Sequence, residues 1–223
     1  MNAGDLNPFF FSLQVALASM VLSFLLAIPL ARLRLDRRGI QWNVFDALLV
    51  MPIALPPSVV GLTLLSLFGQ SSPIGRIFEE IGLQILFNWP AAILASTAVS
   101  FPLMYQTARS AFRQIDRELL DTARIFGYAG QRMTLEIMIP LAWPGIAAGL
   151  VLTFLRAIGE FGATLMIAGN IPGKTQTLPV ALFYAVEAGN MNYAWLLAAL
   201  VIGTSLAALL LAGFSSRKRD LLG

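Results

Sequence analysis

The run LNPFFFSLQVALASMVLSFLLAIPLA, residues 6–31, holds no charged side chain and is followed at once by Arg32, Arg34, Arg37 and Arg38. A bilayer core about 30 Å thick is crossed by about 20 apolar residues in an α-helix, so this run is long enough to span. A cleaved leader carries its positive charge ahead of a shorter apolar stretch, whereas here the basic residues come after it. The expectation is a retained transmembrane helix. Working outward, residues 47–75, 81–108 and 188–216 are also uncharged, and residues 137–173 carry only Arg156 and Glu160. These give five crossing segments of about residues 9–31, 47–69, 90–110, 137–168 and 194–214. Residues 175–186 remain as a short apolar piece, re-entrant or interfacial rather than spanning.

Composition closes off the alternatives. Of 223 residues 57% are hydrophobic and 12% charged, with a mean hydropathy of +0.76. A soluble domain carries about 25% charged residues, so a soluble enzyme and a disordered chain are both excluded. The absence of cysteine removes disulfides and thiolate chemistry, and the absence of histidine removes the usual zinc sites and His-based dyads. An all-α polytopic membrane protein of about five transmembrane helices is what remains.

The net charge of +3 is topological rather than a nucleic-acid footprint. With the N-terminus outside, the cytoplasmic segments hold Arg32, Arg34, Arg37 and Arg38, then Arg109, Arg113, Arg117, Arg124 and Arg132, then Arg217, Lys218 and Arg219. That is 12 of the 15 basic residues, against Arg76 and Lys174 outside, as the positive-inside rule requires. The expected C-terminus is cytoplasmic. Prolines interrupt the spans at Pro52, Pro56, Pro57, Pro102, Pro140 and Pro144. Each removes a backbone donor, and in lipid the freed carbonyls need protein or water partners. The breaks suit either kinks in a packed bundle or a transport pathway.

The segment of about residues 111–135 is more than a linker. Asp116 is a plausible N-cap, and Leu119, Leu120, Ala123 and Phe126 recur near helical spacing among charged residues. Gly127 and Gly130 then end the run where the chain must turn. A short amphipathic helix on the cytoplasmic side follows, lying on lipid or docking a partner.

Spacing separates those two. Asp121-Thr122-Ala123, Gly127, Ile137 and Ile139-Pro140 resemble the EAA loop of ABC-importer permeases, Glu-Ala-Ala, three residues, Gly, nine residues, Ile-x-Leu-Pro. Asp121, Thr122 and Ile139 depart mildly from that pattern. The resemblance implies an ABC-importer type I permease (MetI-like) fold, with a coupling helix that fits a groove on a cytoplasmic ATPase. The residues carried over are Asp121, Ala123, Gly127, Ile137 and Pro140. Leu55-Pro56-Pro57-Ser58-Val59-Val60-Gly61 and Gly159-Glu160-Phe161-Gly162-Ala163-Thr164, with the following residues 169–179, are similar to segments of molybdate permeases. Sulfate permeases share the second core but are usually longer, and tungstate permeases vary it.

What the resemblance implies is a multi-pass subunit of the plasma (inner) membrane of a prokaryote or organelle, acting as a homodimer. Its implied partners are two copies of an ABC ATPase and an external molybdate-binding protein, with no nucleic acid. The chain has no Gly-x-x-x-x-Gly-Lys-Ser/Thr phosphate loop, so it cannot hydrolyse ATP by that route; it is expected not to be an enzyme by itself and to hold no cofactor or metal, ATP being bound by the partner. A proton-coupled carrier or an intramembrane enzyme is the competing class, and neither needs an EAA-type loop.

Gly149, Thr153, Arg156, Glu160 and Thr164 follow one another at helical spacing, so a continuous helix would place them on one face. Thr153, Arg156, Glu160 and Thr164 are therefore expected at the dimer interface or along the translocation pathway. Arg156 and Glu160, four apart, either staple the bundle or present a positive charge to a passing dianion.

Overall fold

The computed structural model describes residues 6–220, with side chains to residue 213, so Arg217, Lys218 and Arg219 lie beyond the described side chains. The described residues are helical, in the order α1 (Asn7–Leu35), α2 (Ile40–Ala54), α3 (Pro57–Phe68), α4 (Pro73–Glu80), α5 (Trp89–Arg113) and α6 (Arg117–Ile125). Then come α7 (Gly130–Ile158), which contains a π-helical turn at Met133–Met138, α8 (Gly162–Ala168), α9 (Leu178–Glu187) and α10 (Met191–Asp220).

Helix α5 is the axis of the fold, packed against α1, α2, α3, α7 and α8. Its buried face carries small residues, Ala91, Ala92, Ala95, Ser96, Ser100 and Ala108, beside the larger Met104, Tyr105 and Phe112, and α1 answers with Ser12, Ala16, Ser19, Ser23, Ala27 and Ala31. In lipid, burying apolar surface against apolar surface gives little drive. Close approach of small-residue faces supplies van der Waals contact instead. Many large apolar side chains face outward, among them Phe10, Leu17, Leu25, Leu48, Trp195 and Ile202.

Two contacts give the helix directions. Ser19 Oγ donates to the Ile93 carbonyl at 3.2 Å, while Arg34 and Arg109 meet on one carboxylate further along, so α1 and α5 run parallel. A Cβ on Gly145 would lie 2.6 Å from the Ala111 Cβ, and Gly149 abuts Thr107, so α7 returns antiparallel to α5. Arg34, Arg109 and the residues that follow each of them thus gather at one end. At the other end the Leu178 amide donates to Ser12 Oγ at 2.6 Å, tying the start of α9 to the start of α1.

Three helices are long and apolar enough to cross a membrane by length and composition: α1, α7 and Met191–Gly213 of α10. The pair α2–α3 makes a fourth if it is one span, bent by 115° at Leu55–Pro56. Helix α5 has 25 residues, about 37 Å of rise, but carries Ser96, Thr97, Ser100 and Arg109. Its neighbours cover it, and a helix wrapped by protein needs no apolar exterior. Residues 175–186 largely form α9, a 10-residue apolar helix too short to cross, in keeping with the expectation.

One sequence expectation changes. The apolar stretch 137–173 is not a continuous helix, because α7 stops at Ile158 and α8 begins at Gly162.

Candidate functional site

The two broken helices meet. A Cβ on Gly61 of α3 would lie 2.7 Å from the Met166 Cβ and 2.9 Å from the Ala163 Cα of α8. A Cβ on Gly162 would lie 3.1 Å from the Pro57 Cβ and 3.3 Å from the Ser58 amide nitrogen. Glycine is required for this approach at position 61, and at position 162 a Cβ would be tighter than most real contacts. The segments 55–61 and 159–166, a hundred residues apart in sequence, therefore form one packed unit, with Val60, Ala163 and Ile167 buried against Ala91, Ala95 and Val99 of α5.

Glu160 sits in the second break with its side chain 1% exposed. One carboxylate oxygen accepts from the Arg156 guanidinium at 2.6 Å, and the other accepts from the Ala163 amide at 2.8 Å. A buried carboxylate is tolerated only when paired and hydrogen-bonded, and here both conditions hold. The second bond also takes up one of the free amides at the start of α8. The Arg156 side chain, by contrast, remains 32% exposed, so it is the more accessible member of the pair.

The other members of the expected stripe lie inside the chain. Thr153 is fully buried and donates to the Gly149 carbonyl at 2.7 Å, on the side that packs against Thr107 and Met104 of α5. Thr164 is fully buried on α8, and its hydroxyl has no partner among the described residues. The helix also stops between Ile158 and Gly162, so positions 149 to 164 do not share one continuous helical face.

The loop after α5 has the local structure its residues dictate. Asp116 accepts from the Glu118 amide at 2.9 Å and caps α6. At the other end the Tyr128 amide donates to the Ala123 carbonyl at 3.0 Å and the Gly127 amide to the Arg124 carbonyl at 2.9 Å. Gly127 has φ +86°, which completes a Schellman motif. Ala123 is buried in a core shared with Phe112, Met133 and Met138, whereas Ile125 and Phe126 are 85% and 77% exposed. Asp121 is exposed and pairs with Arg124 at 2.5 Å. Ile137 is half-buried and Pro140 exposed. Pro140 cannot donate to the Glu136 carbonyl, and the helix before it widens so that the Ile139 amide reaches the Thr134 carbonyl.

A buried network escaped the sequence reading. Asp46 of α2 accepts from Arg34 and from Arg109, each at 2.8 Å, and from the Tyr105 hydroxyl at 2.5 Å. Arg34 also donates to Asn43 at 2.9 Å. This cluster locks the arginine-rich ends of α1, α2 and α5 together. Its only sequence signal is a lone aspartate at the edge of an apolar run.

A sequence model of the family described as "Binding-protein-dependent transport system inner membrane component" matches residues 19–220. The chain is 41% identical over 191 residues to the putative molybdenum transport system permease protein YvgM of Bacillus subtilis (strain 168), covering 85% of this chain and 84% of that protein. It is 36% identical over 209 residues to the molybdenum transport system permease protein ModB of Haemophilus influenzae, covering 93% and 91% of the two chains. Among solved structures, the inward-facing MetNI methionine ABC transporter matches with a TM-score of 0.73 at 16% identity, over 95% of this chain and 94% of that one. A bacterial alginate ABC transporter in complex with its alginate-bound periplasmic protein matches with a TM-score of 0.69 at 18% identity, over 94% and 76%. At such identities the two structures speak for the fold alone.

Proposed function

The chain belongs to the family of binding-protein-dependent transport system inner membrane components, and from that premise we propose that it forms the translocation pathway of an ATP-driven molybdate importer. It is a permease subunit of an ABC-type importer and not itself an enzyme. In this proposal two copies pair around the pathway, an external binding protein delivers the oxyanion, and two ATPase subunits dock on α6. Five spans with the N-terminus outside put α6 on the cytoplasmic side. That orientation is read out by labelling Ser71→Cys and Gln131→Cys in intact cells with an impermeant thiol reagent. Reaction at position 131 but not at 71 sinks it.

The observation that carries the reading is the meeting of segments 55–61 and 159–166, with the part-exposed side chain of Arg156 beside it. A dianion crossing a low-dielectric bilayer needs positive charge along its route, but not so much that it stays bound. Arg156 supplies the charge, and the Glu160 carboxylate moderates it. Alternating access then requires the two states of the dimer to differ at the docked loops. A push on Ile125 and Phe126 reaches α5 and α1 through Ala123, Met133 and Met138, which share one core with Met104 and Ala27.

The test is uptake of labelled molybdate by vesicles holding the permease with its ATPase and binding protein. Molybdate uptake that depends on ATP, with sulfate competing only at large excess, is the expected outcome. Equal competition by sulfate reassigns the substrate, and uptake without ATP removes the importer reading altogether.

A further inference from the structure

At the arginine-rich end a cavity of about 770 Å³ opens between the turn after α1, the end of α5 and the start of α6. Several of its arginines are already neutralised. Arg32 pairs with Asp36, Arg34 with Asp46, and Arg124 with Asp121. Four make no ion pair among the described residues: Arg37, whose guanidinium lies over the Trp42 ring, and Arg38, Arg113 and Arg117, which come from three separate elements and line the same cavity. Uncompensated cations held around one space repel one another, and an anion in that space removes the repulsion. Guanidinium forks match phosphate oxygens two at a time.

We propose that this cavity binds the phosphate headgroup of an anionic phospholipid through Arg38, Arg113 and Arg117. Two features on its rim favour a lipid over a free oxyanion of the same chemistry. Trp42 lies beneath the Arg37 guanidinium, 5.3 Å from it, and tryptophan at this position marks the headgroup level of a bilayer. From the same rim α2 leads into the membrane with Ile40, Val44 and Leu48 exposed at successive turns, a ridge along which an acyl chain lies. Basic pockets between helices at a membrane surface take anionic headgroups for this reason. The site is separate from Arg156 and from the pathway.

The experiment titrates phosphatidylglycerol into phosphatidylcholine nanodiscs holding the permease with its ATPase, and counts bound phosphatidylglycerol by native mass spectrometry. Each arginine at the surface contributes about 1 kcal/mol, so Arg38→Gln with Arg113→Gln should weaken binding about 30-fold. Arg76→Gln, in α4 on the side assigned to the outside and not lining the cavity, should leave it unchanged. Equal binding in the double variant overturns the proposal. Release of phosphatidylglycerol from the wild type by 1 mM inorganic phosphate would assign the cavity to a free oxyanion instead. Loss of the ATPase with lipid retained would assign the arginines to the protein partner. If the double variant does not fold, the wild type decides. Its lipid should dissociate as salt shortens the Debye length from about 10 Å at 0.1 M to about 3 Å at 1 M, and salt-insensitive binding overturns the site.

Discussion

Arg156 and Glu160 meet at 2.6 Å across the point where α7 stops, and the same carboxylate caps α8 on the far side through the Ala163 amide. One acid therefore does two things that substitution can separate. Glu160→Gln keeps an acceptor for Ala163 but loses the charge; Glu160→Leu loses both. The lost cap leaves a buried amide without a partner, which costs about 1–3 kcal/mol, so only the leucine variant should show a clearly lower unfolding temperature in detergent.

Arg156 is expected to matter for transport more than for assembly. Arg156→Met with Glu160→Gln removes both charges and keeps the cap. The variant should co-elute with its ATPase while molybdate uptake falls about tenfold or more, the size of one lost charged hydrogen bond. Uptake at the wild-type rate would reduce the pair to a structural staple, since buried ion pairs are often replaceable by neutral groups.

The close approach of α3 and α8 makes a second kind of prediction. Gly61→Ala puts a methyl group 2.7 Å from the Met166 Cβ, an atom no rotamer change can move. Overpacking of this kind costs about 1–3 kcal/mol and should appear as a lower thermal midpoint. Met166→Ala should not rescue it, because the clashing Cβ remains. A full rescue would mean that the helices are further apart than 2.9 Å at Ala163 implies.

At the other end, Asp46 compensates two arginines at once. Asp46→Asn leaves Arg34 and Arg109 facing each other without a charge between them, and breaking a buried pair from one side costs about 3–5 kcal/mol. Poor recovery of folded protein is expected, where Tyr105→Phe, which removes one hydrogen bond, should cost only about 1 kcal/mol. Equal recovery for the two variants would show that water already shares the site.

Which parts of this were legible beforehand follows from the range of the interactions. The cap at Asp116 and the turn at Gly127 are settled within a dozen residues, and the sequence carries both signals locally. The Asp46 network joins positions 12, 59 and 63 residues apart, and no local pattern announces it. The break in the helix between Thr153 and Thr164 was hidden for a different reason. No proline marks the break at Gly159–Phe161, and a glutamate at spacing four from an arginine looks the same on a continuous helix as on one that has ended. Helix α5 was legible as a long helix from its uncharged run, yet its buried serines lower its hydropathy and it is not among the helices apolar enough to cross by composition.

Gly127 tests the coupling role of α6 with the least structural collateral. Its φ of +86° is a conformation that side chains with a Cβ seldom adopt, yet nothing lies within 4 Å of where that Cβ would be. A substitution here is therefore strained by its backbone and not by crowding. Gly127→Asn, the residue that best tolerates this region, should stay close to wild type. Gly127→Val should cost about 1–2 kcal/mol locally, enough to unwind the Schellman turn but not the membrane core. The expected result is a permease that inserts and folds, binds its ATPase weakly and no longer stimulates it. The Val variant coupling as well as the Asn variant would mean that the turn presenting Ile125 and Phe126 plays no part in docking.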